Sequence, residues 1–461
     1  MRVMKKGVFV VSGSFVLLVI IVLAGLSYFQ MTHFNSNVLI NGTNVGGMTA
    51  SKALDTLESA VSKNTVYIGD QKVYDGKDTN MGFTSDDMSG VKALLKEQRT
   101  FFPSSKPIRY SLKPKKINSE QIKTMEADLK KKLLAMNKGL QAPKDASAQL
   151  EQGKIVVTKS VPGNQYDVNG MLKAYEKQAY NSVVRLNRLY LKPVGKNSPV
   201  IKKEKQQLAD LAKQTVSYKV QDKVYTFKGS DLSATVSKEG KLVIDPTNIK
   251  TKLDGINASQ STLDKGYTFK THSGSVIQVE GGTYGWALNV DAEAKRIEEA
   301  FMKKESSILA YNVYGKGWST VGVGYHVTTN HGIGDTYVEV SIKDQHIWVY
   351  KDGKLKVSTN VVTGTHIYNE DTPKGVWYIE YKQSPSTLKG SEVGNSNYSV
   401  HVNYWAPFTL GGVGFHDASW RTNWSSDAYI KYGSGGCVNT PPSVMKSVYD
   451  NLEQNEPVIV Y

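Results

Sequence analysis

Gly414-Phe-His416-Asp417-Ala-Ser-Trp420 and, seventeen intervening residues after the histidine, Ser434-Gly435-Gly436-Cys437-Val-Asn439-Thr440-Pro441 are the stretch on which the reading of the chain turns. Cys437 is the single cysteine among 461 residues, so no intramolecular disulfide forms and the fold stands on its core alone. Flanked by Ser-Gly-Gly and Val-Asn-Thr-Pro-Pro, this thiol belongs to a loop rather than to an apolar strand or helix face, which favours reactivity over a buried core role. A thiol is only a few per cent thiolate at neutral pH and needs a base; His416 supplies one. Gly435 and Gly436 let the backbone bend tightly and turn successive amide N–H groups toward one point, as an oxyanion hole requires. Thr440 reads as the N-cap of a helix with Pro441 in its first turn and Val444, Val448 and Leu452 on one face. The N-terminus of that helix is expected close enough to Cys437 to favour thiolate. Together these features describe acyl transfer.

Working outward, Tyr337 to Ile342 and His346 to Tyr350 read as strands, and Lys351-Asp352-Gly353-Lys354 as an Asp-Gly hairpin turn. Leu355 to Thr363 returns as a strand, and Val376 to Tyr381 is entered from the turn Thr372-Pro-Lys-Gly375. A mainly-β, sandwich-like domain is thus expected over residues 335–461, with one late helix. The order His416, seventeen residues, Ser434-Gly-Gly-Cys437-Val-Asn439 resembles the signature of the L,D-transpeptidases: a histidine, about fourteen to seventeen residues, then Ser/Thr-His-Gly-Cys-Xaa-Asn. Val362-Thr-Gly364, Thr372-Pro-Lys-Gly375 and Tyr404-Trp-Ala-Pro-Phe408 are similar to that family's catalytic domain too. Gly435 departs from the pattern, standing where the family usually has a second histidine; its backbone N–H remains available.

The resemblance implies that Cys437 attacks the carbonyl of the third residue of a peptidoglycan tetrapeptide stem, expels D-alanine and forms a thioester. An amine of a neighbouring stem then closes a 3→3 cross-link. His416 is implied as general acid and base, Asp417 or the carbonyl beside it as the group orienting the imidazole, and Ser434 and Asn439 as loop supports. Inactivation by carbapenems through Cys437 follows from the same resemblance. Alternatives on the same residues are an L,D-carboxypeptidase, in which water takes the acyl group, and a non-catalytic wall-binding protein. A sortase-like enzyme is disfavoured, because Ser-Gly-Gly-Cys-Val-Asn does not match a Thr-Xaa-Thr-Cys strand end. No cofactor or metal is indicated. His331, His346, His366 and His401 are scattered, and Gly332-Ile-Gly334 and Gly411-Gly-Val-Gly414 lack the context of a nucleotide-binding loop.

Gly7 to Phe29 is a run of 23 uncharged residues, about 35 Å as a helix and enough to cross a hydrocarbon core of about 30 Å. Arg2, Lys5 and Lys6 precede it, so a single-pass anchor with a cytoplasmic N-terminus and an extracellular remainder facing the wall is expected. The competing reading, a cleaved signal peptide, usually has a shorter apolar region and a small-residue cleavage site. Hydrophobic residues at 40%, charged ones at 21% and only 14 prolines exclude collagen-like and wholly disordered chains. The net charge of +15 favours anionic surroundings, which outside a cell are wall polymers and lipid headgroups rather than nucleic acid. Many of the cations fall between Lys96 and Lys138, including Lys113, Lys115, Lys116 and Lys130-Lys-Lys132; they read as a solvated helix face.

Between anchor and catalytic domain, Ile40 to Thr49 is a strand-and-turn signal followed by a helix capped by Ser51 through Leu54, Leu57 and Val61. Val161-Pro-Gly-Asn-Gln-Tyr-Asp-Val-Asn-Gly-Met-Leu-Lys173 lines up with Glu280-Gly-Gly-Thr-Tyr-Gly-Trp-Ala-Leu-Asn-Val-Asp-Ala292. In each, a Gly-Xaa-Xaa-Tyr turn precedes an extended run and an Asn or Asp capping a helix, Met171 to Tyr180 and Ala292 to Phe301. Leu191 to Pro199, with two prolines and a glycine, reads as the linker between two copies. The repeat resembles the peptidoglycan-binding modules that precede catalytic domains in wall-modifying proteins of Gram-positive bacteria; a mere spacer is the alternative. The expected organisation is a tip and transmembrane anchor at 1–29, α+β modules at 30–195 and 200–333, and the catalytic domain at 335–461.

Overall fold

The computed structural model describes residues 4–100 and 102–461. Arg2, one of the three cations expected before the apolar run, lies outside the described residues. A helix spans Met4–Thr32 and contains an apolar window over Phe15–Thr32. Side chains from Phe15 to Leu23 are exposed, as no interior of the protein covers them.

The chain divides into two compact units, one of residues 1–146 with 158–198, the other of residues 147–157 with 199–461. The first has two small cores. Phe34, Ile40, Leu54, Leu57, Phe83 and Val91 form one. Val66, Ile68, Leu129, Leu133, Met171 and Tyr175 form the second, where the strand Thr65–Ile68 pairs in parallel with Val183–Leu186. The helix Ala50–Glu58 is capped by Thr49, whose side chain accepts from Lys52 N, and not by Ser51. Val61, expected on its last turn, lies instead in a short strand, because Ser59 already ends the helix. Leu129 and Leu133 face the core from the helix Ser119–Asn137, which leaves Lys130, Lys131 and Lys132 on its solvated side.

The repeat segments end on capped helices, Asp167 capping Val168–Glu176 in the first unit and Asn289 capping Val290–Lys303 in the second. Both helices begin earlier than the sequence suggested, since the cap residues sit ahead of the apolar positions that signalled them. A hairpin, Ser147–Glu151 and Lys154–Thr158, is built into the second unit's sheet: Ala234 and Thr235 pair with Leu150 and Gln149. Ala148 and Leu150 are buried in that unit's core with Leu208, Tyr218, Phe227 and Trp286. The contiguous module expected over 30–195 is corrected accordingly, with residues 147–157 belonging to the second unit.

The elements of the C-terminal domain are labelled in chain order. They are β1 (Tyr337–Ser341), β2 (His346–Lys351), β3 (Lys354–Asn360), β4 (Gly375–Tyr378), β5 (Ser386–Glu392), β6 (Asn395–Val402), β7 (Trp405–Pro407), β8 (Gly414–Asp417), α1 (Ala428–Tyr432), β9 (Val438–Thr440), α2 (Pro442–Asn451) and β10 (Pro457–Val460). One sheet runs β3-β2-β1-β10-β4, a second β7-β8-β9, and β5 and β6 form a separate hairpin. Asp352 and Gly353 both take positive φ at the β2–β3 turn, as an Asp-Gly hairpin requires. Val340, Ile347, Val349, Phe408, Phe415, Val438, Met445 and Val448 are buried together, so β1, β2, β7–β9 and α2 share one core.

The domain docks on the preceding module through main-chain pairing. Val376 N donates to Gly281 O and Tyr284 N to Val376 O, which extends the edge strand β4. A Cβ on Gly282, whose φ is +90°, would stand 2.0 Å from Val376 O, so only glycine permits this approach. Tyr378 Oη accepts from Ser319 N and donates to Lys316 O, and Glu339 accepts both from His272 N and from Tyr461 Oη. Gly282→Ala is expected to destabilise by roughly 1–3 kcal/mol, read as a lowered thermal midpoint, from strain and the lost pairing. Glu456 is buried with one carboxyl oxygen lacking a partner, and burial pushes its pKa up to about 8. The native state therefore holds a proton that the unfolded chain releases above the ordinary carboxylate range. Stability present below about pH 4.5 is lost as pH rises toward 8. Glu456→Gln should flatten this slope when thermal midpoints are compared from pH 5 to 9.

Candidate active site

Strand β8 is the middle strand of its small sheet. It pairs antiparallel with β7, placing Trp405 beside His416, and parallel with β9, placing Phe415, His416 and Asp417 beside Val438, Asn439 and Thr440. Cys437 immediately precedes β9. Since side chains alternate along a strand, Cys437 and Asn439 share a face, and it is the face of His416.

His416 is only 3% exposed, set between Trp405 and Trp420 at ring-centre distances of 6.0 and 5.7 Å. Its Nδ1 lies 3.0 Å from the Asp417 carbonyl oxygen, which fixes the proton on Nδ1 and the lone pair on Nε2. With the Asn439 carboxamide turned to satisfy its neighbours, its nitrogen donates to Nε2 at 3.1 Å and its oxygen accepts from Arg421 at 3.1 and 2.9 Å. The Asp417 carboxylate is engaged elsewhere, accepting from Asn403 N, Asn403 Nδ2 and Tyr404 N. The backbone carbonyl of Asp417, not its carboxylate, is therefore what touches the imidazole. Burial pushes the His416 pKa down, and the nearby Arg421 guanidinium acts in the same direction, against the Asp417 contacts.

The thiol loop is held from below. Ser434 N donates to Thr363 O, and Thr365 N and Oγ1 both donate to Ser434 O. Thr372 Oγ1 donates to Gly436 O at 2.7 Å and accepts from Gly364 N. The Val362-Thr-Gly364 and Thr372-Pro-Lys-Gly375 segments are thus the foundation of the loop. Ser434 Oγ spans the loop itself, accepting from Gly436 N and donating to Cys437 O at 2.6 Å. Gly436 takes a φ of +117°. Among the described residues, neither Gly435 N nor Cys437 N has a hydrogen-bond acceptor, so two donors flank the half-buried thiol.

One expectation fails here. Thr440 is the last residue of β9, wholly buried, and α2 starts at Pro442 with Pro441 in the cap position. The helix N-terminus thus lies a whole strand away from Cys437, roughly 10 Å at about 3.3 Å per residue, beyond the one-turn reach of its dipole. Consistently, burial raises the Cys437 pKa to about 11, with Glu392 adding to the rise. The thiol donates to Gly412 O at 3.6 Å.

Sequence reasoning missed Arg421, whose guanidinium also donates to Tyr432 O and Gly433 O and so ties the β8–α1 loop to Asn439 and the thiol loop. The signal was present: it is the lone Lys or Arg between Lys389 and Lys431. It also missed Glu392. A Cβ on Gly435 would lie 3.0 Å from Glu392 Cβ, so the end of β5 stands against one side of the exposed glycine.

The sequence profile described as the L,D-transpeptidase catalytic domain matches residues 335–460, and one described as "Putative peptidoglycan binding domain" matches 205–309. Among solved structures, the avibactam carbamoyl enzyme of Ldtfm is 30% identical, over 57% of this chain and 98% of that one, with a TM-score of 0.46. A cysteine-to-serine mutant of the Enterococcus faecium L,D-transpeptidase is 29% identical over 56% and 98%, TM-score 0.46. The catalytic domain of the E. faecium L,D-transpeptidase acylated by ertapenem is 43% identical over 28% and 97%, TM-score 0.26. No curated protein compared with the chain matches it. The chain belongs to the L,D-transpeptidase family. It is an enzyme of that class, and peptidoglycan is its substrate.

The raised thiol and lowered imidazole pKa values make the resting pair neutral on both sides at pH 7. Iodoacetamide alkylation of the single cysteine, followed by intact mass, should therefore climb about tenfold per pH unit from pH 7 upward, because the thiolate fraction does. A plateau already reached at pH 8 would mean a resting thiolate–imidazolium pair instead.

Proposed function

We propose that the protein forms 3→3 peptidoglycan cross-links through a thioester on Cys437. The observation that carries this reading is the β8–β9 pairing, which sets His416 and the Cys437 loop side by side with two unpaired N–H groups. The Asn439 carboxamide gives up Nε2 of His416, which accepts the thiol proton as the sulfur attacks the carbonyl of the third residue of a tetrapeptide stem. Gly435 N–H and Cys437 N–H receive the developing oxyanion. The C–N bond to D-alanine breaks, and the departing amine takes the proton from His416. An amine of a neighbouring stem then attacks the thioester and gives up a proton to His416; the C–S bond breaks and the leaving sulfur takes that proton back from His416, restoring the thiol. Asn439 and the Asp417 carbonyl hold the imidazole in one tautomer, while Ser434, Gly436 and Thr372 hold the loop. The helix Met4–Thr32 serves as a single-pass anchor, with its N-terminus cytoplasmic and residues after it facing the wall; its apolar window and exposed apolar side chains support this. The module around residues 205–309 is the part that engages the polymer.

The test is intact-mass spectrometry and product analysis of the full chain in detergent with a tetrapeptide-stem disaccharide. Release of D-alanine with a cross-linked dimer, both absent in Cys437→Ala, is expected. Ertapenem should add its mass to the wild type alone. Tripeptide without dimer would make the enzyme a carboxypeptidase, and dimer formation by Cys437→Ala would exclude this nucleophile.

A further inference from the structure

The β5–β6 hairpin reaches over the thiol loop. Its end is fixed at one point, where Val393 N donates to Glu370 Oε1 at 2.7 Å. Glu370 lies on the same segment, between Gly364 and Thr372, that supports the loop from below. Glu392, the last residue of β5, is carried to the exposed face of Gly435: its Cβ and one carboxyl oxygen are 3.0 and 3.4 Å from where a Cβ on that glycine would stand. The carboxylate is half-buried and has no hydrogen bond or ion pair among the described residues. Arg421 feels the charge of Glu392 but makes its hydrogen bonds to Asn439, Tyr432 and Gly433. Tyr398 on β6 faces the same space and feels the charges of both Cys437 and Glu392.

A negative charge in this position opposes thiolate formation and so works against the first half of the reaction. Its presence is accounted for by the second half. Once the thiol is acylated it has no charge to repel, and the group that must then approach is an amine, which in water arrives as an ammonium ion. An unpaired, half-buried carboxylate next to the thioester is the complement of that ion. We propose that Glu392 is the acceptor-binding residue of this enzyme: its carboxylate takes the ammonium group of the acceptor stem over Gly435 and presents its nitrogen to the Cys437 thioester. The inference rests on the function proposed above. Attack requires a neutral amine, so one ammonium proton leaves to His416 or water before the C–N bond forms and the C–S bond breaks; Glu392 holds the nitrogen in place meanwhile. Glycine at 435 is part of the same arrangement, since a larger side chain there would occupy the volume of the carboxylate.

The test separates the two half-reactions in the full-length wild type, Glu392→Gln and Glu392→Asp. Acylation is followed by intact mass with ertapenem. The fate of the stem acyl-enzyme is followed as the ratio of cross-linked dimer to hydrolysed tripeptide, over a range of concentrations of a tripeptide-stem acceptor. With Glu392→Gln, acylation should be faster than in wild type, whereas the dimer-to-tripeptide ratio falls and the acceptor KM rises, each by about tenfold or more, as expected for losing one charge-assisted hydrogen bond. Glu392→Asp should recover part of the ratio. An unchanged ratio in Glu392→Gln overturns the proposal, as does a loss of acylation equal to the loss of dimer, which would mark a structural role for the hairpin. Absence of acylation in the wild type would instead overturn the function on which the inference rests.

Discussion

The parallel pairing of β8 with β9 is the contact on which the site depends. Two strands of three or four residues bring together a histidine and a cysteine that are 21 positions apart, and register alone decides that Asn439 faces His416 and that Cys437 falls just before the pairing begins. A slip of one residue would turn Cys437 and Asn439 to the opposite face. The register is protected on both sides: β7 pairs with β8 from the other edge, and Phe415 and Val438 are fully buried in the core shared with α2. Stability and the geometry of the site draw on the same apolar residues.

Acid–base chemistry at this site is governed more by burial than by charge. His416 is kept neutral by its aromatic enclosure and the thiol is kept protonated by its surroundings. A cysteine enzyme built on a preformed ion pair would be reactive toward any electrophile in solution. On the mechanism proposed above, proton transfer accompanies attack, and the thiol gains nucleophilicity only with an acyl carbonyl positioned against it. In that proposal the N–H groups of Gly435 and Cys437 reward the positioning, since they would gain an acceptor only as the tetrahedral oxygen develops.

Much of this was legible in the sequence because it is local. The Asp352-Gly353 turn, the strands on either side and the loop around Cys437 follow from short-range residue preferences. What failed did so for identifiable reasons. Thr440 is a good cap by composition, yet β-sheet pairing with Asp417 claimed it for a strand, and the next proline started the helix instead. Asp417 reads as a triad acid, but its carboxylate was needed by the N–H groups of Asn403 and Tyr404, which no periodicity reveals. Arg421 and Glu392 act across distances of 18 and 43 residues, from Asn439 and Gly435 respectively, and neither sits in a motif. The hairpin at 147–157 shows the same limit: its alternating pattern announces two strands without saying which sheet they join.

That hairpin has a consequence for synthesis. It leaves the ribosome before any of its partners, and Ala148 and Leu150 have no core to enter until Ser233–Val236 has been made and can pair with it. During the interval, the first unit must close around a gap in its own sequence while two finished strands wait with open edges. An expressed fragment that begins at the apparent linker, residue 199, would carry the opposite defect, an edge at Ser233–Val236 stripped of its neighbour. The natural unit of folding that contains the catalytic domain thus starts about fifty residues before the point where its continuous stretch of chain begins.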